Sequence, residues 1–279
     1  MSILVFGRGF VGTRLARDLP DAKLLPTDIT DRAAVLAAIR EHQPSAVVNA
    51  AGKTGKPNVD WCESHQAETF RGNVQGPLTL ADACAEASVY LLHLASGCVF
   101  YGDSPTPGGW LEDDFANPSA FYSRTKYAAD LVLSRLPNVG IARLRMPVDG
   151  APSSRNLITK LAAYREVVDV ENSVTVIADL VHAVKQLVAK RAQGVFHVTN
   201  PGAMKHTELL ALYKQLVDPE HRYTLITPEA LVTRGLAVKA RSNCLLASPR
   251  LAELGITLRP IDVALRDAME QYAVAHRAL

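Results

Sequence analysis

The chain opens on a short apolar run, Ile3-Leu4-Val5-Phe6, that passes directly into Gly7-Arg8-Gly9-Phe10-Val11-Gly12. A glycine pattern of this spacing is weak alone. Between a strand and a helix it constrains the fold strongly. Gly7 permits the tight turn, Gly9 lets the backbone approach a pyrophosphate, and Gly12 allows the helix to pack closely on the strand. The N-terminus of the helix over Val11 to Leu19 then faces the phosphates, with Phe10 and Val11 where the turn meets it. The motif predicts a dinucleotide site at the first βα turn.

The rest of the first half keeps the alternation. Lys23 to Leu25 reads as a strand, and Asp31 to His42 as a helix with Thr30 or Asp31 at its N-cap. Ala46 to Ala50 is a buried strand, and Leu78 to Ala87 closes a second long helix that includes Asn73. Tyr90 to Ala95 and Val139 to Arg145 are further strands, with a helix carrying Tyr122 and Lys126 between them. Unbroken apolar strands alternating with helices predict an α/β fold, a doubly wound parallel sheet of Rossmann type covered on both faces. Ligands then lie at the carboxyl ends of the strands. After Pro147 the regularity fades, although Ile177 to Lys190 reads as a helix and Val195 to Val198 as a strand that rejoins the sheet. The expected division is a dinucleotide-binding domain over 1–148, completed by about 174–200, and a smaller C-terminal substrate-binding lobe from 149–173 and 201–279.

At 279 residues the chain can bury a full core, and its net charge of +2 is nearly balanced. No basic block or basic-aromatic interleaving points to nucleic acid. Apolar runs are strand-length, so no membrane span is expected. The four cysteines, Cys62, Cys84, Cys98 and Cys244, lack metal or CxxC spacing. With a strand beginning at the first residues, no leader peptide is expected, and free thiols suit a reducing, cytoplasmic compartment.

No acidic residue ends the second strand, where Leu24-Leu25-Pro26 stands. An acid there would hold the ribose 2′-hydroxyl of NAD and repel a 2′-phosphate. Its absence, with Arg8 in the turn, favours NADPH over NADH, although Arg8 also reads as a solvated surface arginine. Asp28 is suited either to the adenine or to the next helix cap.

Ser96 follows an apolar strand, and Tyr122 and Lys126 are one helical turn apart in Phe-Tyr-Ser-Arg-Thr-Lys. Tyrosine can give a proton to an alkoxide as hydride arrives, the serine hydroxyl can orient a carbonyl, and an ammonium can lower the tyrosine pKa. Together with the glycine turn, Asn49-Ala50-Ala51-Gly52 after a strand and Asn73-Val-Gln-Gly, this ordered set resembles the extended short-chain dehydrogenase/reductases. The stretch Asn49 to His65 is more specific. It is similar to the nucleotide-rhamnose synthase/epimerase-reductases known from plants, as are Ser96 to Phe100, Arg145-Met146-Pro147, Arg155 to Lys160, Val167 to Ser173, Thr199 to Gly202 and Arg241-Ser242-Asn243. The resemblance covers nearly the whole chain. More distantly it extends to the dedicated 4-ketorhamnose reductases, which usually carry Thr-Asp-Tyr where Ser96-Gly97-Cys98 stands.

The resemblance implies an enzyme converting a UDP- or dTDP-linked 4-keto-6-deoxyglucose to nucleotide-L-rhamnose with NADPH. Ser96, Tyr122 and Lys126 would serve reduction, and Cys98 and Lys160 would form the epimerising pair, with base and acid unassigned. GDP-fucose synthases also place a cysteine two residues after the serine. The cofactor contacts implied are Gly7 to Gly12, Asp28, Ile29, Ala50, Ala51, Gly52, Tyr122, Lys126 and Met146. Substrate contacts implied are Thr54, Lys56, Asn73, Ser96, Asn156, Arg241 and Asn243. By analogy the helices of Asn73 and Tyr122 would pair in a homodimer. The alternatives are a 4-keto reductase alone, action on another 4-keto-6-deoxy sugar, and a non-catalytic NADP-binding regulatory subunit.

Overall fold

The computed structural model describes residues 2–278. Its central sheet has six parallel strands in the order β10-β5-β4-β3-β1-β2. These are β1 (Ile3–Phe6), β2 (Ala22–Leu25), β3 (Ala46–Asn49), β4 (Tyr90–Ser96), β5 (Val139–Leu144) and β10 (Gly194–His197). β1 pairs with β2 on one side and β3 on the other, both parallel, so the chain direction across the sheet reverses at β1. This is the switch point at which doubly wound sheets bind ligands.

Helices α1 (Phe10–Asp18) and α2 (Arg32–His42) follow β1 and β2. Asp31 caps α2, accepting a hydrogen bond from the Ala34 amide at 3.0 Å. After β3 come α3 (Trp61–Ser64), α4 (Gln66–Phe70), a π-helical turn over Arg71–Gln75 and α5 (Gly76–Glu86). The sequence predicts plain α-helix around Asn73. Pro77 explains the difference: it has no N–H to give to the preceding turn, and its ring crowds the carbonyl there, so that turn widens. α6 (Phe121–Leu133) carries Tyr122 and Lys126. Leu4, Phe6, Val47, Leu80, Leu91, Ala129, Leu133 and Ile141 form the core on which these elements pack.

Two compact units divide the chain. One is residues 1–99, 115–143 and 181–196; the other is 100–114, 144–180 and 197–279. The sequence reading keeps 100–114 with the first half. The structure groups it with the second unit because Phe100 stacks on Trp110, and Trp110 exchanges backbone bonds with Leu245 and Ala247.

The second unit contains β6 (Pro147–Val148), α7 (Leu157–Ala163), β7 (Glu166–Val168), β8 (Glu171–Asn172), β9 (Thr175–Val176), β11 (Met204–Lys205), α9 (His206–Leu216), β12 (Thr224–Ile226), α10 (Pro228–Thr233), α11 (Pro249–Glu253) and α12 (Ile261–Arg277). α8 (Ile177–Lys190) precedes β10. The short strands pair as β6 with β9, β7 with β12 and β8 with β11. Ile158, Leu161, Leu209, Leu210, Met269 and Tyr272 are among the residues of this unit's own core.

Candidate active site

The glycine turn is shaped by what surrounds it. Gly7 has φ +107°, and a Cβ there would fall 2.4 Å from the Ala51 amide nitrogen. A Cβ on Gly12 would fall 1.9 Å from the Gly7 carbonyl oxygen, whereas one on Gly9 would meet nothing within 4 Å. Two glycines therefore permit close packing and the third leaves open space over the start of α1, where Phe10 and Val11 lie. Ala50 is fixed to β1 through its amide, which donates to the Phe6 carbonyl at 2.8 Å.

A cavity of about 180 Å³ brings together Gly7, Arg8, Asp28, Ile29, Ala51 and Gly52 with Thr27 and Lys53. Its floor of backbone, its exposed guanidinium and its lack of an acid at Leu25 or Pro26 fit a phosphorylated dinucleotide. Asp28 does not cap α2, which Asp31 does. Its carboxylate instead accepts from the Thr30 amide and hydroxyl, both at 2.9 Å, which holds it below the usual carboxylate range.

The loop after β3 is clamped by two side chains. Asn49 Oδ1 accepts from the Ala51 amide at 3.0 Å. Asn73 Oδ1 accepts from the Lys53 amide at 2.7 Å, and its Nδ2 donates to the Lys53 carbonyl and to Thr125 Oγ1. Asn73 is fully buried, and its amide ties the loop to α6. Thr54 is half-buried and Lys56 is exposed on the same loop.

Ser96 ends β4, and Cys98 lies in the one-turn 3-10 helix that follows it. The Cys98 amide donates to Ser96 Oγ at 3.2 Å. Burial raises the Tyr122 hydroxyl above the ordinary phenol range; the Cys98 thiol acts in the same direction, and a hydrogen bond with Ser96 opposes them. Ser96, Cys98 and Tyr122 are thus neighbours. The expectation that Lys126 lowers the pKa of Tyr122 is not met. Its Nζ turns to the Leu94 carbonyl at 3.0 Å and to His93 Nε2 at 3.2 Å. Burial brings Lys126 down to about 8. Tyr122 consequently keeps its proton through the neutral range, as a proton donor must.

Three side chains are given no role by the sequence reading. His93 is fully buried between Asn49 and Lys126. Glu63, from the Asn49–His65 stretch, accepts from the Phe121 amide at 2.7 Å and so holds the first turn of α6, which has no side-chain cap of its own. Its charge also suits a helix N-terminus. Arg145, in the second unit, donates to Ser242 Oγ at 3.0 Å and to the Ser242 carbonyl at 2.5 Å, and it also bonds Asn172. A fully buried arginine therefore fixes Arg241-Ser242-Asn243. Asn243 is held further by Asn172 Nδ2, at 3.2 Å.

Lys160 is in the last turn of α7 and half-buried. Asn156 is fully buried, caps α7 through the Ile158 amide, and donates to the carbonyls of Asp149 and Ala151. With its amide engaged on both sides, it shapes the loop that leads into α7. Met146 takes φ +42° and its side chain packs on the second unit's core.

The sheet order, the glycine turn and the serine–tyrosine–lysine set define an extended short-chain dehydrogenase/reductase. Residues 1–274 match the family described as RmlD substrate binding domain, and the chain belongs to that family. It is 40% identical over 229 residues to the bifunctional dTDP-4-dehydrorhamnose 3,5-epimerase/dTDP-4-dehydrorhamnose reductase of Arabidopsis thaliana, covering 80% of this chain and 75% of that one. It spans about a third of the length of trifunctional Arabidopsis relatives named for UDP-glucose 4,6-dehydratase, epimerase and reductase activities. The L780 UDP-rhamnose synthase of Acanthamoeba polyphaga mimivirus superposes with a TM-score of 0.90 at 26% identity, covering 97% of this chain and 99% of that one. The dTDP-4-dehydrorhamnose reductase of Bacillus anthracis, solved with NADP, shares the fold at a TM-score of 0.81 and 19% identity, over 98% of both chains.

Proposed function

We propose that this chain is an NADPH-dependent enzyme that performs 3,5-epimerisation and 4-keto reduction on a UDP- or dTDP-linked 4-keto-6-deoxyglucose, giving nucleotide-L-rhamnose. The observation that carries this reading is the grouping of a serine hydroxyl, a thiol and a protonated tyrosine at the end of β4. NADPH would be held by the glycine turn and the adjoining cavity, and it supplies the hydride. Ser96 and Tyr122 hydrogen-bond the C4 carbonyl oxygen. As charge develops there, Tyr122 transfers its proton to it, leaving a phenolate.

The same two hydroxyls stabilise an enolate when a hydrogen leaves C3 or C5. Cys98 beside them is one partner for that proton, and Lys160 is the other by family resemblance. Reduction removes the carbonyl that acidifies both positions, so epimerisation comes first. Arg241 and Asn243 are the proposed diphosphate contacts, since a guanidinium can bind two phosphate oxygens.

The reductive half is tested with ready-made nucleotide-4-ketorhamnose. NADPH should be oxidised and a nucleotide-L-rhamnose should appear. NADPH left unconsumed by folded protein would overturn the assignment.

A further inference from the structure

His93 is the buried titratable group that the reaction above does not use. Its surroundings fix which of its nitrogens carries the proton. The Ala51 N–H points at Asn49 Oδ1, so the other end of that amide, Nδ2, must face His93. Asn49 Nδ2 is a donor, and His93 Nδ1, 3.0 Å away, must accept. A neutral imidazole accepting at Nδ1 carries its hydrogen on Nε2. Nε2 therefore presents an N–H to Lys126 Nζ at 3.2 Å, and only an uncharged amine has a lone pair to receive it. The amine's own hydrogens reach the Leu94 carbonyl at 3.0 Å.

We propose that His93 is a positioning residue for the reduction: a one-directional hydrogen-bond chain from the Ala51 amide through Asn49 and His93 favours the neutral amine of Lys126 and so makes its ammonium ready to release a proton. The role rests on the proposed reduction. After Tyr122 gives its proton to the C4 oxygen, the phenolate must be refilled. Lys126, one helical turn along α6 with its Nζ held on Leu94 and His93, is the proposed source of that proton, relayed through an intervening water or hydroxyl, and is left as the amine that His93 accommodates. Solvent returns that proton, and the net reaction consumes one proton and one hydride.

The other titratable groups on α6 and the elements packed against it do not produce the same effect. Asp130, one turn further along α6, favours the ammonium, but it is held by Arg143 of β5 at 2.9 Å. Cys98 and Cys62 act on Tyr122. Glu68 of α4 is paired with Lys53, and Glu63 of α3 with the Phe121 amide. Burial of Lys126 works in the same direction as His93. The chain also starts in the loop that packs on Gly7, so protonating Lys126 would require Asn49 to turn and release Ala51.

The test is the titration of Lys126 in the whole protein by NMR of isotopically labelled lysine side chains, assigned with Lys126→Arg. His93→Gln puts a carbonyl where the N–H was, and Asn49→Ser leaves a hydroxyl that accepts as readily as it donates. Both should move the Lys126 titration alkaline, His93→Gln by a unit or more, and the alkaline limb of the reduction should move with it. A Lys126 titration unchanged in both folded variants overturns the proposal, even if their rates fall. A shifted titration in a protein that reduces no 4-keto sugar would sink the proposed function and leave the role of His93 in setting the Lys126 proton standing.

Discussion

Tyr122 and Cys98 are asked for different proton transfers, and substitution should separate them. Tyr122→Phe keeps the ring and removes the donor. Its reduction rate should fall by at least about 100-fold, in line with loss of a positioned general acid, while NADPH binding persists. Retained turnover in that variant would remove Tyr122 from the chemistry. Cys98→Ser replaces a thiol with a far less acidic hydroxyl, a poor proton shuttle near neutrality. Exchange of the C3 and C5 hydrogens should then be suppressed, while reduction of ready-made 4-ketorhamnose continues. Lys160→Ala should give the same split, measured as deuterium uptake against NADPH oxidation. Normal exchange in both variants would leave a reductase that depends on a separate epimerase. For the cofactor, NADPH should bind more tightly than NADH, and Arg8→Ala should narrow the gap in a fluorescence titration. An unchanged ratio would assign the preference elsewhere in the cavity.

Among the elements, α6 matters most, because its N-terminus sets the position of Tyr122 and its middle holds a buried ion pair. Glu63→Ala removes the acceptor of the Phe121 amide, a change comparable to losing a helix cap, at about 1 kcal/mol. It should lower kcat more than it raises KM, and Glu63→Gln should restore most of the loss. An unaltered kcat would mean that the first turn holds itself. Deeper in the helix, Arg143→Met leaves the Asp130 carboxylate buried without its partner and should cost roughly 3–5 kcal/mol at neutral pH. Burial already raises Asp130, and without Arg143 it rises further. The folded variant then binds a proton that the unfolded chain releases, so its stability falls as pH rises through that window and recovers in acid. Denaturant midpoints measured across that range check the sign. A deficit that grows in acid contradicts it.

At the scale of the molecule, local order was legible and long-range pairing was not. The glycine turn, the Asp31 cap and the alternation of strands and helices lie within short windows, where residue type and spacing determine the conformation. The return of β10 to the sheet could be read from Val195 to Val198. His93 meets Lys126 across 33 residues, Glu63 meets Phe121 across 58, and Arg145 meets Ser242 across 97. No periodicity encodes such pairs. His93 reads as one more residue of a buried strand, and Arg145 as a polar end to another. Asn156 and Asn73 stand in motifs tied to function, and what spacing does not show is that their amides are engaged by the loops that carry those motifs. The Asn49–His65 stretch combines both lessons. Its resemblance was plain, but the reason for its length appears only in three dimensions, where it reaches from the Ala51 amide to the start of α6.

The account is tested most directly by one reaction: the purified chain in deuterated water with UDP- or dTDP-4-keto-6-deoxyglucose, NADPH and no other protein. It predicts a nucleotide-L-rhamnose carrying deuterium at C3 and C5. A product that retains the D-gluco configuration, or NADPH consumption that begins only when an epimerase is added, would contradict it.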